Sequence, residues 1–449
     1  MKPRLRVPYA KFVANAAWLT VGRVATAVLA LLITAMVARY LGPIDFGKLA
    51  YAFSIAAIFA IVGHLGLDGL VVRELKSAPQ TASITLGTVV GLKLVAFGTA
   101  AVLLLLFVHI VPGHDDTDRA IFAFAAAFVA LSALNTLSNW FHSRVEGRVL
   151  ALTHLAGIVS SSAFKVALVF FGAGAIWFGA ANVVTTAVAV GLMFIVFRRS
   201  GGPTVTSWRF SGKAARRLLS EGGIVFIGSI FAIIYLKIDL AMLRWLSEPK
   251  VVGEYAVAAQ MSEAAYIIPS AIVASVFPRL IELKDSSPDD YEWRFQQVFD
   301  TLLLASIAVV AGVYLFGGFV LDILFGEAYS GSSVILLIHI LAAPFIFMRY
   351  AFSRWILIER VAIFSLLTQG SGAFLNVALN LVLIPNMAGV GAAIATVVSY
   401  CTASYLSLVL WERTRPVFYK MSRALFMPWA AAARVLTRPT IAAARDTQL

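Results

Sequence analysis

An all-α membrane protein, with about twelve transmembrane helices in two six-helix bundles related by a pseudo-two-fold axis along the membrane normal, is the fold the sequence predicts. Three observations predict it. Sixty per cent of the 449 residues are hydrophobic and only 13% charged, with a mean hydropathy of +0.88, far beyond the roughly 45–50% apolar content of water-soluble domains. Apolar runs of the length that crosses a bilayer, about 20 residues, follow one another with short polar breaks. Fragments of the first half recur in the second.

The runs lie at 12–37, 46–69, 84–109, 120–142, 151–171, 175–197, 218–243, 252–276, 298–321, 333–353, 361–384 and 389–411. The first is too long for a signal-peptide core and has no cleavage pattern. Strands of a membrane barrel would be shorter and would alternate in polarity, which these runs do not. Lys and Arg set the orientation. With the N-terminus in the cytoplasm, 26 of the 36 fall in inner segments and five (Arg39, Lys48, Arg119, Arg244 and Lys250) in outer ones, so both termini are expected inside.

Residues 201–217 carry Gly201, Gly202, Pro203 and a cluster of basic residues, marking a linker between halves 1–200 and 218–411. Arg39, Gly47 and Ala50 match Arg244, Gly253 and Ala256 at offsets of 205 and 206. Gly179, Ala180 and Ala181 match Gly391, Ala392 and Ala393 at an offset of 212. Six is even, so both halves enter from one side, and a substrate site is expected between them. The basic tail, 412–449, reads as a solvated segment, with an anionic-lipid anchor as the alternative.

A Lys or Arg near the bilayer centre costs about 2.5–3.5 kcal/mol on insertion scales and is retained where it faces a cavity or a partner. Five lie within the runs: Arg23, Lys93, Lys165, Lys237 and Arg349. Arg23 shares a stripe of small and polar residues with Thr20, Ala27, Ala30 and Thr34. Lys237 and Arg349 sit near helix ends and are placed to snorkel. Two acids, Asp239 and Glu263, are candidate ion-coupling groups, with Glu263 also a candidate counter-ion. Lys237 points to a different side of its helix from Asp239, so Asp239 requires another partner. A cavity with surplus positive charge would suit an anion and repel an organic cation.

Enzyme signatures are absent from the sequence. Cys401 is the only cysteine, which rules out an intrachain disulfide or thiolate cluster. The sequence contains no phosphate loop, zinc motif or nucleophile elbow, and the reading includes no cofactor and no metal. The Asp116-Thr117-Asp118 triplet is expected to be a solvated loop. Basic residues flank the apolar runs instead of forming one face, so no nucleic acid partner is expected.

Ala38-Arg39-Tyr40-Leu41-Gly42-Pro43, Phe46-Gly47, Gly66-Leu67 and Arg73-Glu74-Leu75 resemble the opening of the polysaccharide biosynthesis flippases, the Wzx-type branch of the multidrug and oligosaccharidyl-lipid exporter superfamily. Asp239, Met242-Leu243, Val252-Gly253, Tyr255, Ala258 and Phe277-Pro278 are similar to that family's seventh and eighth spans. Asn376, Asn380, Ile384-Pro385, Gly389 and Gly391-Ala392-Ala393 are similar to its eleventh and twelfth. The resemblance implies a MATE-like fold and rocking between inward-open and outward-open states. It implies as substrate an undecaprenyl-diphosphate-linked oligosaccharide for O-antigen, capsule or exopolysaccharide, moved across a bacterial cytoplasmic membrane. Arg23, Lys93 and Lys165 are then expected to receive the diphosphate, with membrane lipids around the protein and a glycan polymerase as a candidate partner. A cation-coupled multidrug exporter is the alternative, followed by a membrane glycan polymerase or ligase.

Overall fold

The computed structural model describes residues 9–359 and 361–436, with the side chains of 9–17, 19–21, 23, 24, 224, 285, 362 and 436 outside the described set. The described residues are predominantly helical, joined by short non-helical segments. In order, the helices are α1 (Tyr9–His64), α2 (Asp68–Ser77), α3 (Ala82–Ile110), α4 (Asp116–Ser132), α5 (Ser138–Ser143), α6 (Gly147–Phe170), α7 (Ala175–Arg199) and α8 (Gly212–Leu246). There follow α9 (Pro249–Ala264), α10 (Ile267–Ser286), α11 (Pro288–Phe325), α12 (Ser332–His339), α13 (Ala343–Glu359), α14 (Ala362–Ser404), α15 (Arg415–Phe426) and α16 (Pro428–Leu436).

Ten helical stretches among the described residues are long and apolar enough to cross a membrane, and the chain is a multi-pass membrane protein. Two of them, Ala25–Ser77 and Ile363–Leu410, run for 53 and 48 residues. At about 1.5 Å per residue each reaches roughly 70 Å or more, against a hydrocarbon layer of about 30 Å, so each has the length for two passes. Each also contains a non-helical residue. Gly42 sits at φ 73°, ψ 170°, a left-handed conformation open to glycine, and Pro43 follows it. Ala388, at φ 48°, ψ −126°, interrupts α14 three residues after Pro385.

The breaks recur along the chain. A 3-10 stretch at Ala133–Leu137 separates α4 from α5, and another at Ile340–Ala342 separates α12 from α13. The reversals at Gly42, Gly113, Gly172, Ser247, Gly326 and Ala388 lie at one end of the bundle, termed here the hairpin end. The opposite, tail end carries α2, the segment before α8, and α15–α16. Helices α1, α3, α4, α6 and α7 pack on one another, α8 packs most extensively on α14, and α1 meets α8 and α9 across the middle.

Two boundaries differ from the sequence expectation. The linker is shorter: the Ser211 side chain accepts a hydrogen bond from Ala214 N–H at 3.4 Å and starts α8 at Gly212. Residues 209–211 are docked, with Arg209 N–H donating to the Ser83 carbonyl at 3.4 Å and Ser211 N–H to Thr88 Oγ1 at 3.0 Å. The tail is not a free solvated segment in its described part. Asp300, buried on α11, accepts two hydrogen bonds from the Arg434 guanidinium at 2.6 and 2.8 Å. Val417, Met421 and Ala424 of α15 enter the core that holds Tyr291, Phe295 and Phe299 of α11.

Candidate functional site

A cavity of about 400 Å³ lies between α1, α6 and α7 on one side and α8, α9, α12 and α14 on the other. Phe46, Phe53, Phe178, Tyr235 and Tyr255 supply aromatic walls, while Lys165, Asn182, Lys237, Gln260, Glu263 and His339 supply polar groups. An aromatic wall with a few convergent polar groups is the usual make-up of a ligand site.

The sequence-predicted residues divide among three places. Lys165, Lys237, Asp239 and Glu263 line the cavity. Lys237 faces Glu263 at 3.5 Å, both side chains about one third exposed (33% and 35%). It therefore points inward instead of snorkelling, and Glu263 acts as its counter-ion. Lys93 and Arg349 are engaged elsewhere. Lys93 binds Asp68 at 2.5 Å at the tail end, where Asn139 (3.1 Å) and His64 (3.2 Å) also meet that carboxylate. Arg349 is buried and donates to the Ala403 carbonyl at 3.0 Å and to Thr368 Oγ1 at 3.3 Å. Its long side chain is satisfied inside the helix packing, not in the cavity. The Arg23 side chain lies outside the described residues.

Asp239 finds its partners at long range. It accepts from Tyr255 Oη at 2.7 Å, Thr396 Oγ1 at 2.7 Å and Asn380 Nδ2 at 2.6 Å, with Asn376 Oδ1 accepting from Asn380 at 3.2 Å. All these donors are neutral. Asp239, Tyr255, Asn376 and Asn380 are motif residues that the sequence scatters over two segments, and the fold assembles them into one buried cluster.

The cavity lining thus holds two cations and two acids among the described residues, not the surplus of positive charge expected from sequence. With Glu263 on Lys237 and Asp239 held by its donors, no acid or hydrogen-bond acceptor among the described residues is left for Lys165. An ammonium without a counter-charge inside a membrane protein is costly to retain.

Both ends of the cavity are bridged. At the hairpin end Arg39 donates to the Ile323 carbonyl at 3.0 Å, and Arg244 donates to the Gly113 carbonyl at 2.7 Å while facing Asp118 at 3.4 Å. These two arginines, termed here the clasps, are the pair matched at an offset of 205; Arg39 reaches the last turn of α11 and Arg244 the loop between α3 and α4. Between them, a Cβ on Gly253 would lie 2.0 Å from the Pro43 carbonyl oxygen, and one on Gly47 would lie 2.9 Å from Gly253 N. Only glycines permit that backbone contact. At the tail end, Arg73 pairs with Glu221, and Arg217 with Glu74 at 2.7 Å.

Sequence reasoning missed the hairpin-end bridges, because carbonyl acceptors leave no mark in a sequence, and the tail-end pairs, because their partners lie more than 140 residues apart. The Asp116-Thr117-Asp118 triplet is a helix start: Asp115 and Asp118 form a reciprocal capping box on α4, and Asp118 is 1% exposed beneath Arg244. Acid spacing before an apolar run was the available signal for that cap.

Comparison with known proteins agrees with this architecture. Over 94% of this chain and 93% of the other, the fold matches the lipid II flippase MurJ in an inward closed conformation, with a TM-score of 0.72 at 12% identity. It also matches an inward-facing multidrug resistance MATE family transporter, with a TM-score of 0.70 at 14% identity over 88% and 96% of the two chains. By sequence, the chain is 25% identical to a putative O-antigen transporter of Shigella flexneri, over 71% of this chain and 78% of that one. It is 22% identical to Agl15 of Haloferax volcanii, a probable low-salt glycan biosynthesis flippase, over 82% and 77%. The profile described as polysaccharide biosynthesis protein matches residues 12–284, a span that holds the opening motif, both clasp arginines, the paired glycines and four charged groups of the cavity. On that match the chain belongs to the polysaccharide biosynthesis protein family.

Proposed function

We propose that this protein is a flippase that carries a polyprenyl-diphosphate-linked oligosaccharide across the membrane by alternating access, for the assembly of cell-surface polysaccharide. The observation that carries the reading is Lys165, the cavity cation to which no described residue offers an acid or a hydrogen-bond acceptor. Undecaprenyl diphosphate is the carrier that the family resemblance favours. The diphosphate is received at Lys165, with Lys237 available once the 3.5 Å contact to Glu263 opens. Asn182 and Gln260 are placed for sugar hydroxyls, and the polyprenyl tail stays in the bilayer between the helix groups.

In this reading α1 and α14 each cross twice, which returns the expected twelve crossings in two halves, and the axis relating Arg39 to Arg244 lies along the membrane normal. The Lys and Arg distribution places the tail end in the cytoplasm of a bacterial cell, and the clasps then close the outer side. With the inside negative, moving two negative charges outward is favoured by about 4.6 kcal/mol per 100 mV. Asp239 and Glu263 remain the ion-coupling candidates: Asp239 is buried among neutral donors, and Glu263 is freed when cargo takes Lys237. The multidrug fold relatives suggest an alternative cargo of organic cations, which a lone ammonium in the wall disfavours.

Complementation tests the reading. In a strain lacking its own flippase, the wild-type chain restores surface polysaccharide, Lys165→Arg retains a large part of it, and Lys165→Ala abolishes it at equal membrane abundance. Full polymer with Lys165→Ala removes the basis for the diphosphate site.

A further inference from the structure

A second cavity, of about 310 Å³, opens on the side of the C-terminal helices and shares no lining residue with the central one. Its walls are Ile272 and Val276 of α10, Trp293, Arg294, Gln297, Val298 and Thr301 of α11, and Val435 of α16. The two long helices leave their apolar stretches at this level. On α11, residues 301–321 carry no charge, whereas Asp300, Arg294 and Glu292 precede them. On α10, Arg279 follows Val276 by less than one turn. The groove therefore straddles the border between hydrocarbon and headgroups, with aliphatic side chains at one end and Trp293 and Arg294 at the other.

The polar end is cationic, and no acid is among its described lining residues. Arg294 donates to Gln297 Oε1 at 3.1 Å and lies 5.1 Å from the centre of the Trp293 ring. Asp290, one turn earlier, instead accepts from Ser287 at 2.8 Å, and Glu292 is taken by Lys420 at 2.9 Å. The docked tail extends the same chemistry. The exposed stripe of α15 reads Arg415, Tyr419, Arg423 and Phe426, and Trp429 beyond it is 72% exposed. A stripe facing water would not carry three aromatics, and one facing acyl chains would not carry two arginines. Aromatics interleaved with arginines belong to the headgroup layer.

We propose that this groove binds an acidic phospholipid of the surrounding leaflet, with its phosphate on Arg294, its glycerol against Trp293 and one acyl chain along Ile272, Val276 and Val298. The α15–α16 tail seals the groove through Val435 and lies in the headgroup plane beside it. The Arg434–Asp300 pair fixes the tail to α11, so the groove depends on the tail being docked. The charge selects an acidic over a zwitterionic lipid, because one basic residue near the membrane surface contributes about fivefold in binding.

The test uses the full-length protein in nanodiscs of phosphatidylcholine with about one third phosphatidylglycerol. Photoactivatable phosphatidylglycerol and photoactivatable phosphatidylcholine, with the reactive group in the acyl chain, are compared by mapping the crosslinked peptides. The expected result is labelling of the 272–276 and 293–301 segments with phosphatidylglycerol at least fivefold above phosphatidylcholine. Arg294→Gln lowers that preference about fivefold and Arg294→Lys restores most of it. Arg294 is exposed, and an unchanged elution profile confirms folding. Equal labelling by the two lipids, labelling insensitive to Arg294→Gln, or no labelling of these segments overturns the proposal. Displacement by excess undecaprenyl diphosphate would assign the groove to cargo and overturns it as well.

Discussion

Breaking the clasp at Arg244 should open the hairpin end by an amount the structure allows one to estimate. Arg244 donates at 2.7 Å to the Gly113 carbonyl and faces the Asp118 carboxylate at 3.4 Å, with side chains 21% and 1% exposed. A hydrogen bond from a charged donor contributes about 1.5–3 kcal/mol. The residual exposure of the guanidinium and its long reach to Asp118 put this one near the lower end. Arg244→Gln should then shift the closed-to-open equilibrium roughly tenfold toward open, at about 1.4 kcal/mol per decade. Arg39 is exposed and makes a single bond, at 3.0 Å to Ile323, so Arg39→Gln should give only about two- to fivefold. The clasps engage different elements, the last turn of α11 and the loop at Gly113, and their effects should multiply in the double variant. The assay is reaction of a membrane-impermeant maleimide with Ala50→Cys, a cavity-wall position, in a Cys401→Ser background. The labelling rate from the hairpin end should follow that order, while labelling of a tail-end cysteine falls, a reciprocity that unfolding would not produce. An unchanged rate in Arg244→Gln, or a larger effect from Arg39→Gln, would refute the clasp.

Three further outcomes follow from the same geometry. Gly253→Ala places a Cβ 2.0 Å from the Pro43 carbonyl oxygen, so it should hold the hairpin end open, read as faster Ala50→Cys labelling than in the Arg244→Gln variant; wild-type labelling would mean the contact is not a closure point. Asp239→Asn should leave the protein folded and remove the dependence of transport on an ion gradient, measured as flipping in proteoliposomes with and without an imposed proton or sodium gradient. At Asp115, partial burial raises the carboxyl, but the Lys48 ammonium and the Asp118 and Thr117 backbone N–H groups outweigh it and hold the group below the usual carboxylate range. Because the folded value is the lower one, this pair stabilises fully above about pH 4 and is lost as pH falls through the folded value. With Asp115 54% exposed the effect is under about 1 kcal/mol, and Asp115→Asn should slightly flatten the decline of melting temperature below pH 4.

Helix positions were legible in the sequence because each apolar run has only one way to satisfy its backbone in lipid. Of the residues singled out as offset pairs, Gly47 and Gly253 meet in backbone contact at the hairpin end, while Arg39 and Arg244 bind separate carbonyls there, those of Ile323 and Gly113. The direction in which each intramembrane charge points was not legible. Lys93, Lys165 and Arg349 look alike as lone cations in apolar runs, but Lys93 meets an aspartate 25 residues away and Arg349 ends on a carbonyl 54 residues away. Only long-range packing distinguishes them from Lys165. Carbonyl acceptors escape sequence reasoning entirely, and for that reason the clasps and the satisfied state of Arg349 emerged only from the fold. The tail misled for a related reason. Its basic residues suggested solvation, while Asp300, the acid that binds Arg434, lies 134 residues earlier.

The most direct measurement is equilibrium binding of a short-chain prenyl diphosphate sugar to the purified protein, wild type against Lys165→Gln, at several ionic strengths. Loss of one charge-assisted contact worth about 1.5–3 kcal/mol predicts that Lys165→Gln weakens binding by about ten- to a hundredfold and flattens the salt dependence, with Lys165→Arg close to wild type. Equal affinities for wild type and Lys165→Gln would show that the unpaired ammonium does not receive the cargo and would contradict the account.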